Sequence, residues 1–316
     1  MKKLTIIDIA KLAGVGKSTV SRVINNDKKV SQETKERVLE VIKENNYKPS
    51  QSAQNMRSKK NKVIGIINTR LESKSETKVI KNILNTLYED NYDAIILESL
   101  FSQEKTVEHI EVLKNKNIAG IIIFAISTLE YNFLKKLKIP IIMVAKKVDG
   151  FTSIAYDDYG AIESILNYLI KNSYKNIAYI GVDNKDITTG FQRYSAYRDY
   201  TIKYNKENIS YFGDFSYNSG YNLAKQLFLE EKQVDSIVCA SDSIALGVKK
   251  YLDKHQIKEV LVTGVGNDPL IKFLYDDYIS ISFGYDEIGN LAGKAILDKI
   301  NKKDVKDIII DGNITL

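Results

Sequence analysis

The chain has 316 residues, 44% of them hydrophobic and 27% charged, with a net charge of +6; such a length suits a small module beside a larger core, at roughly 100–200 residues per domain. No apolar run approaches the roughly 18 residues of a membrane span, and no apolar stretch follows Met1-Lys2-Lys3 as an export signal would, so a cytoplasmic protein without membrane contact is expected. One cysteine, Cys239, and two histidines, His109 and His255, argue against a disulfide framework and a usual zinc site, and no metal or other cofactor is expected.

The positive charge is segregated. Residues 1–60 carry 14 Lys and Arg against 6 Asp and Glu, leaving 32 against 34 for the rest. Cations gathered at one end suit a phosphate backbone, because neutralising phosphates releases counterions and supplies affinity.

Thr5-Ile-Ile-Asp8 places a hydroxyl cap three residues before a carboxylate, the pattern that satisfies free amides at a helix start. Ile6, Ile9, Ala10 and Ala13 then recur at helical spacing, and Gly14-Val15-Gly16 supplies a tight turn. Lys17 to Ile24 forms a second helix with Val20, Val23 and Ile24 inward and Lys17, Ser18, Ser21 and Arg22 outward. A third helix starts behind Ser31 and runs through Val38, Leu39, Val41 and Ile42 to about Asn45, closing a three-helix core. A helix, a glycine turn and a second helix that opens with short polar side chains is the arrangement that lays a recognition helix in the major groove. Lys17, Ser18 and Arg22 are the candidates for reading bases. Tyr47-Lys-Pro-Ser50 breaks the third helix, and residues 50–58 hold helix formers but too narrow an apolar face to fold alone; Ala53 and Met56 on one side suit a hinge helix that enters the minor groove, with a flexible linker as the plainer alternative.

The run Thr5-Ile-Ile-Asp-Ile-Ala-Lys-Leu-Ala-Gly-Val-Gly-Lys-Ser-Thr-Val-Ser-Arg-Val-Ile-Asn25, with Val30-Ser31, Tyr47-Lys-Pro49 and Ala53, resembles the N-terminal module of the lactose-repressor (LacI/GalR) family. That resemblance implies a homodimer on a near-palindromic operator, with DNA contacts at Thr5, Gly16, Lys17, Ser18, Thr19, Ser21, Arg22, Asn25, Ser31, Tyr47 and Ala53. Met56 stands where the family inserts a leucine between base steps.

From residue 61 to 316 apolar runs alternate with amphipathic segments. Val63–Ile67, Tyr92–Leu97, Ile118–Phe124, Ile139–Val144, Ile177–Ile180, Ser236–Cys239 and Val260–Thr263 read as buried parallel strands, and 159–171, 217–229 and 286–300 as covering helices. The expectation is an α/β core of two lobes, one β/α half following the other. In such folds ligands sit beyond the carboxyl ends of strands. The polar residues there are Asn68, Thr69, Arg70 and Glu76; Lys146; Asp186, Thr188, Thr189 and Arg193; Ser241 and Asp242; and Asn267 with Asp268. Carboxylates and hydroxyls suit sugar hydroxyls, Arg and Lys suit an anion, and a sugar phosphate suits both.

Val63–Ile67, Tyr156-Asp-Asp-Tyr-Gly160, Asn176–Gly181, Arg193 with Tyr197, and Ser241–Gly247 resemble the periplasmic-binding-protein-like core of the same family. Thr69–Ser73, Ser99–Ser102, Asp186–Gly190 and Val265–Asn267 are most similar to its trehalose-responsive members. This implies a repressor of trehalose uptake and breakdown genes, induced by trehalose 6-phosphate through Arg70, Glu76, Lys146, Thr188, Thr189, Arg193 and Tyr285. Lys146 replaces an expected Arg, keeping the charge without the planar fork. The alternatives are another sugar or a nucleobase as effector, a sugar-binding protein with no DNA-linked role, and a sugar-phosphate enzyme. No G-x-S-x-G elbow or phosphate-binding loop supports the enzyme. Without a leucine-heptad tail before Leu316, a dimer is expected rather than a coiled-coil tetramer.

Overall fold

The computed structural model describes residues 4–24, 27, 29–45, 47, 61–183 and 185–315. Contacts divide the chain into two compact units, Met1–Asn61 and Lys62–Leu316.

In the first unit, α1 (Ile6–Leu12) opens on a complete capping box: Thr5 N–H donates to Asp8 Oδ2 at 2.8 Å and Thr5 Oγ1 accepts from Asp8 N at 3.4 Å. Gly14 turns the chain at φ +65°, a conformation that a side chain would strain. Gly16 keeps an ordinary φ, and its carbonyl accepts from Thr19 N and Val20 N to start α2 (Lys17–Ile24). Ser31 caps α3 (Gln32–Glu44), its Oγ accepting from Thr34 N at 3.4 Å. Ile9, Ala10, Ala13, Val20, Val23 and Val38 form the buried centre, with Val15, Ile24, Val41 and Ile42 around it. Leu39 does not join them and is 44% exposed, because it falls off the face that carries Val38, Val41 and Ile42.

The second unit is built on two six-stranded sheets. The first has the order β11-β5-β4-β3-β1-β2, from β1 (Val63–Asn68), β2 (Asp93–Glu98), β3 (Gly120–Phe124), β4 (Ile141–Ala145), β5 (Thr152–Tyr156) and β11 (Ile308–Ile310). The second runs β12-β10-β9-β8-β6-β7, from β6 (Ile177–Val182), β7 (Ser210–Gly213), β8 (Ser236–Cys239), β9 (Leu261–Val265), β10 (Ile279–Ser282) and β12 (Asn313–Thr315). All pairings are parallel except β10 with β12. The central strands β3 and β6 are buried along their length, since helices cover both sheet faces, whereas β2 lies at an edge and stays half-open.

The two lobes are interleaved rather than consecutive. Chain crosses between them three times: from β5 into the helix Asp158–Lys171, which packs with the second lobe; from β10 into the helix Tyr285–Ile300, which returns to the first; and from β11 to β12. The helix Tyr285–Ile300 lies directly on Lys74–Glu89, where a Cβ on Gly289 would come within 2.4 Å of the Val79 carbonyl. The short strands β5, β7, β10, β11 and β12 escape the reading of apolar runs, having three to five residues each and several hydroxyls among them.

Candidate functional site

The two units offer two surfaces. On the first, α2 presents Lys17, Ser18 and Arg22 to solvent, with Thr19 and Ser21 half-buried on its shoulder. Arg22 Nε lies 4.0 Å from Asp27 Oδ2, a long contact on the surface. Thr5 and Ser31 are exposed caps, Gly16 starts α2, and Tyr47 packs at the core's rim. Asn25, Ala53, Met56 and the segment 50–58 lie outside the described residues.

On the second, a cleft opens between the lobes at the carboxyl ends of β1, β4, β6, β8 and β9. Arg70, Glu76, Asp186, Thr188, Thr189, Arg193, Asp242 and Tyr285 all line it. Two expected residues do not. Lys146 faces a separate cavity with Tyr131, Asn132 and Asp149: the preceding residue, Ala145, turns at φ +75° and takes the cleft-lining place. Asn267 turns away as well, its amide oxygen accepting from Thr315 Oγ1 at 3.1 Å and its N–H donating to Ser280 Oγ at 3.0 Å.

The lining residues divide by what their polar atoms already do. Glu76 folds back from the first turn of its helix, and its carboxylate accepts from Thr69 N at 2.8 Å, Arg70 N at 3.3 Å and the Thr69 hydroxyl. Burial pushes the Glu76 carboxyl above the usual range although these bonds oppose the shift. Glu76 thus builds the loop that carries Arg70. Asp242 is equally committed: Oδ1 accepts from Tyr278 OH at 2.6 Å and Ser280 Oγ at 2.8 Å, and Oδ2 from Asp268 N at 2.6 Å. Asp186 caps a wide π-helical turn, Ile187–Gln192, accepting from Gly190 N at 3.2 Å and Thr188 Oγ1 at 3.0 Å.

Arg193 and Asp158 form a buried pair beneath the cleft, with Nε and Nη2 of Arg193 at 2.7 and 2.6 Å from Asp158 Oδ1 and Nη1 donating to the Ala240 carbonyl. Asp158 Oδ2 is buried without a partner in the protein, as is Arg70 Nε. Burial raises the Asp158 carboxyl against the pull of Arg193. No carboxylate among the described residues pairs with Arg70, whose guanidinium instead lies 4.3 Å from the ring centroid of Phe215 and 5.6 Å from that of Phe101. Buried polar groups are normally paired, so an unmatched donor and acceptor in one cleft mark where a ligand's acceptor and donor would go.

Residues 5–50 match the family of bacterial regulatory proteins, lacI family, and residues 61–310 match the periplasmic binding proteins and sugar binding domain of LacI family. The chain belongs to the LacI family. As a member it is a transcriptional regulator whose DNA binding is ligand-controlled, and not an enzyme. This LacI-family chain is 37% identical to the HTH-type transcriptional regulator TreR of Salmonella typhimurium over 313 residues and 38% identical to that of Escherichia coli over 315, covering 99% of each chain. Among solved structures, the trehalose repressor from Escherichia coli matches 81% of the chain and 100% of its own at 32% identity and a TM-score of 0.77. The lac repressor dimer bound to operator shares the fold over 100% of this chain and 98% of its own, with a TM-score of 0.88 at 19% identity.

Phe101, Phe215, Tyr156 and Asp158 line the LacI-family cleft without having been singled out in sequence as ligand groups. Tyr156-Asp-Asp-Tyr-Gly160 carries two of them, and its carboxylates were the available signal. Phe101 lies in the Ser99–Ser102 stretch that carries part of the resemblance but was given no role there, and Phe215 had no signal, since an aromatic residue in a loop is not told apart from a surface one by spacing.

Proposed function

We propose that this regulator is a repressor that binds a palindromic operator as a homodimer, controls trehalose uptake and breakdown genes, and is released from DNA by trehalose 6-phosphate. The observation that carries the reading is identity of 37–38% to two TreR regulators across 99% of each chain. The site chemistry agrees with an anionic sugar. Arg70 supplies a cation that forms no salt bridge among the described residues, while Asp158 Oδ2, Arg193, Thr188 and Thr189 supply partners for hydroxyls. Glu76, Asp186 and Asp242 hold the loops on which these groups stand, and Tyr285 forms part of the wall.

Ligand favours one arrangement of the lobes, and that arrangement disfavours the hinge segments 50–58 meeting on the minor groove, so operator affinity falls; typical couplings of this kind are about 1–3 kcal/mol. On the DNA side Lys17, Ser18 and Arg22 read bases, and Thr5, Thr19, Ser21, Asn25, Ser31 and Tyr47 hold the backbone or the module's orientation. Gly16, with no side chain at the start of α2, leaves room for a phosphate there. Met56 is the wedge and Ala53 lets the paired hinges approach.

Titration calorimetry with trehalose 6-phosphate, trehalose, sucrose and sucrose 6-phosphate, followed by operator binding with each, tests the reading. Tight binding of trehalose 6-phosphate and its release of operator are expected. Operator release by another of these sugars, with trehalose 6-phosphate inert, would replace the effector and leave the repressor standing.

A further inference from the structure

We propose that Phe101 and Phe215 form a latch that holds the two lobes together at the mouth of the cleft and pins the Arg70 guanidinium in place. The proposal rests on the cleft being the effector site. Phe101 follows β2, the edge strand of the first sheet, and Phe215 follows β7, the edge strand of the second. Their rings stack across the lobe boundary with centroids 5.5 Å apart and planes 9° from parallel. Arg70 lies against both rings, nearer to Phe215.

Position gives the pair its leverage. The strands that lead into the three crossings, β5, β11 and β10, sit at the other end of their sheets. Four strand spacings separate β5 from β2, about 19 Å at the usual interstrand distance of about 4.8 Å. A weak contact that far from the crossings resists lobe opening better than the same contact beside them. A second cross-lobe bond lies at the same mouth, where Ile187 N–H of the π-helical turn donates to Ser127 Oγ at 2.8 Å.

Both loops are built to present their rings. Leu100 and Phe101 stand consecutively in the left-handed region, at φ +51° and +58°, a conformation that costs energy for side chains of this size. The surrounding bonds hold them there: Leu100 N–H donates to the Thr69 carbonyl at 2.9 Å, Ser99 Oγ to the Asn68 carbonyl at 3.0 Å, and Gln103 Nε2 to the Thr128 carbonyl at 2.6 Å. Opposite, Asp214 N–H donates to Ser219 Oγ at 3.0 Å and Ser216 N–H to Asp214 Oδ1 at 2.7 Å, fixing the turn that carries Phe215. Outside the stacked rings a second cavity begins, lined by Ile126, Ser127, Val182 and Gly213. The rings are therefore the wall between ligand cleft and outer space. They also hold the Arg70 guanidinium in place, so it meets an anion already oriented.

The test uses the full-length chain with spin labels on Glu108→Cys and Lys225→Cys, one exposed site in each lobe, Cys239 being buried. Pulsed dipolar spectroscopy without ligand reads the lobe separation. Phe215→Ala and Phe101→Ala are each expected to shift the closed-to-open ratio about tenfold toward open, the size of one aromatic contact, while Phe215→Tyr keeps the wild-type distribution. Calorimetry then compares trehalose 6-phosphate with trehalose: Phe215→Ala is expected to cost the phosphorylated sugar several-fold more affinity, through the freed Arg70. An unchanged distance distribution in Phe215→Ala, with wild-type circular dichroism, overturns the latch. If neither sugar binds wild type, the ligand reading fails, and the ligand-free distances still decide the latch.

Discussion

Replacing Asp158 by Ala would leave Arg193 charged, buried and without its carboxylate. Arg193 is 5% exposed and Asp158 1%, and two guanidinium nitrogens reach one carboxylate oxygen at 2.6 and 2.7 Å. Removing one partner of such a pair costs about 3–5 kcal/mol, most of it the penalty of the charge left behind. For a domain of this size a change of 1 kcal/mol moves the midpoint by about 2–4 °C, so a fall of roughly 6–20 °C is expected in thermal unfolding followed by circular dichroism. Arg193→Met should do comparable damage by stranding Asp158. The double variant, having no buried charge at that place, should recover most of the loss while binding effector poorly, because both groups line or underlie the cleft. Measuring all four proteins closes the cycle. Losses in the double variant equal to the sum of the single losses would refute the pairing, and wild-type effector affinity in the double variant would refute its part in the site.

Three further outcomes follow from the same geometry. Thr5→Ala removes the capping box of α1 and should destabilise the first unit by about 1 kcal/mol, seen as earlier loss of amide protection at Ile9 and Val20 in hydrogen exchange. Arg22→Ala should weaken operator binding by about 1–3 kcal/mol, the worth of one base-reading contact, with little effect on unrelated duplex; equal loss on both duplexes would make Arg22 a phosphate contact. Asp242 has its carboxyl raised by burial above the ordinary 3.8, so in that window the folded protein holds a proton that the unfolded chain releases. Its contribution to stability therefore falls as pH rises from 3.8 through the raised value and is level above it. Urea midpoints across the window should fall less steeply in Asp242→Asn than in wild type, and parallel profiles would count against the buried, protonatable Asp242.

Among its described residues the first unit was legible almost entirely in sequence, because its elements are marked by contacts close along the chain. The Thr5–Asp8 box, Gly14, the cap at Ser31 and the helical spacing of Ile9, Val20, Val23 and Val38 each carry their meaning within a few residues. The long apolar strands β1, β3, β6 and β8 were legible for the same reason, as were the Tyr217–Leu229 and Tyr285–Ile300 helices to within a residue. Nine of the ten expected ligand groups were placed beyond strand ends and Tyr285 by the family resemblance, and eight of the ten line one cleft.

Local pattern could not say which lobe a segment joins. The helix from Tyr285 follows a strand of the second sheet yet packs on the first lobe, through contacts such as Gly289 against Val79, Gly293 against Thr86 and Lys78 with Asp286. Nor could it tell which way a side chain turns after a strand: one left-handed residue, Ala145, sends Lys146 out of the cleft, and the bond to Thr315 takes Asn267 away. The meeting of Arg70, Phe101 and Phe215, and of Asp158 with Arg193, joins positions 31 to 145 residues apart in sequence. Sequence spacing informs about neighbours on one element, whereas these contacts depend on how separate elements are stacked, which only the packed core determines.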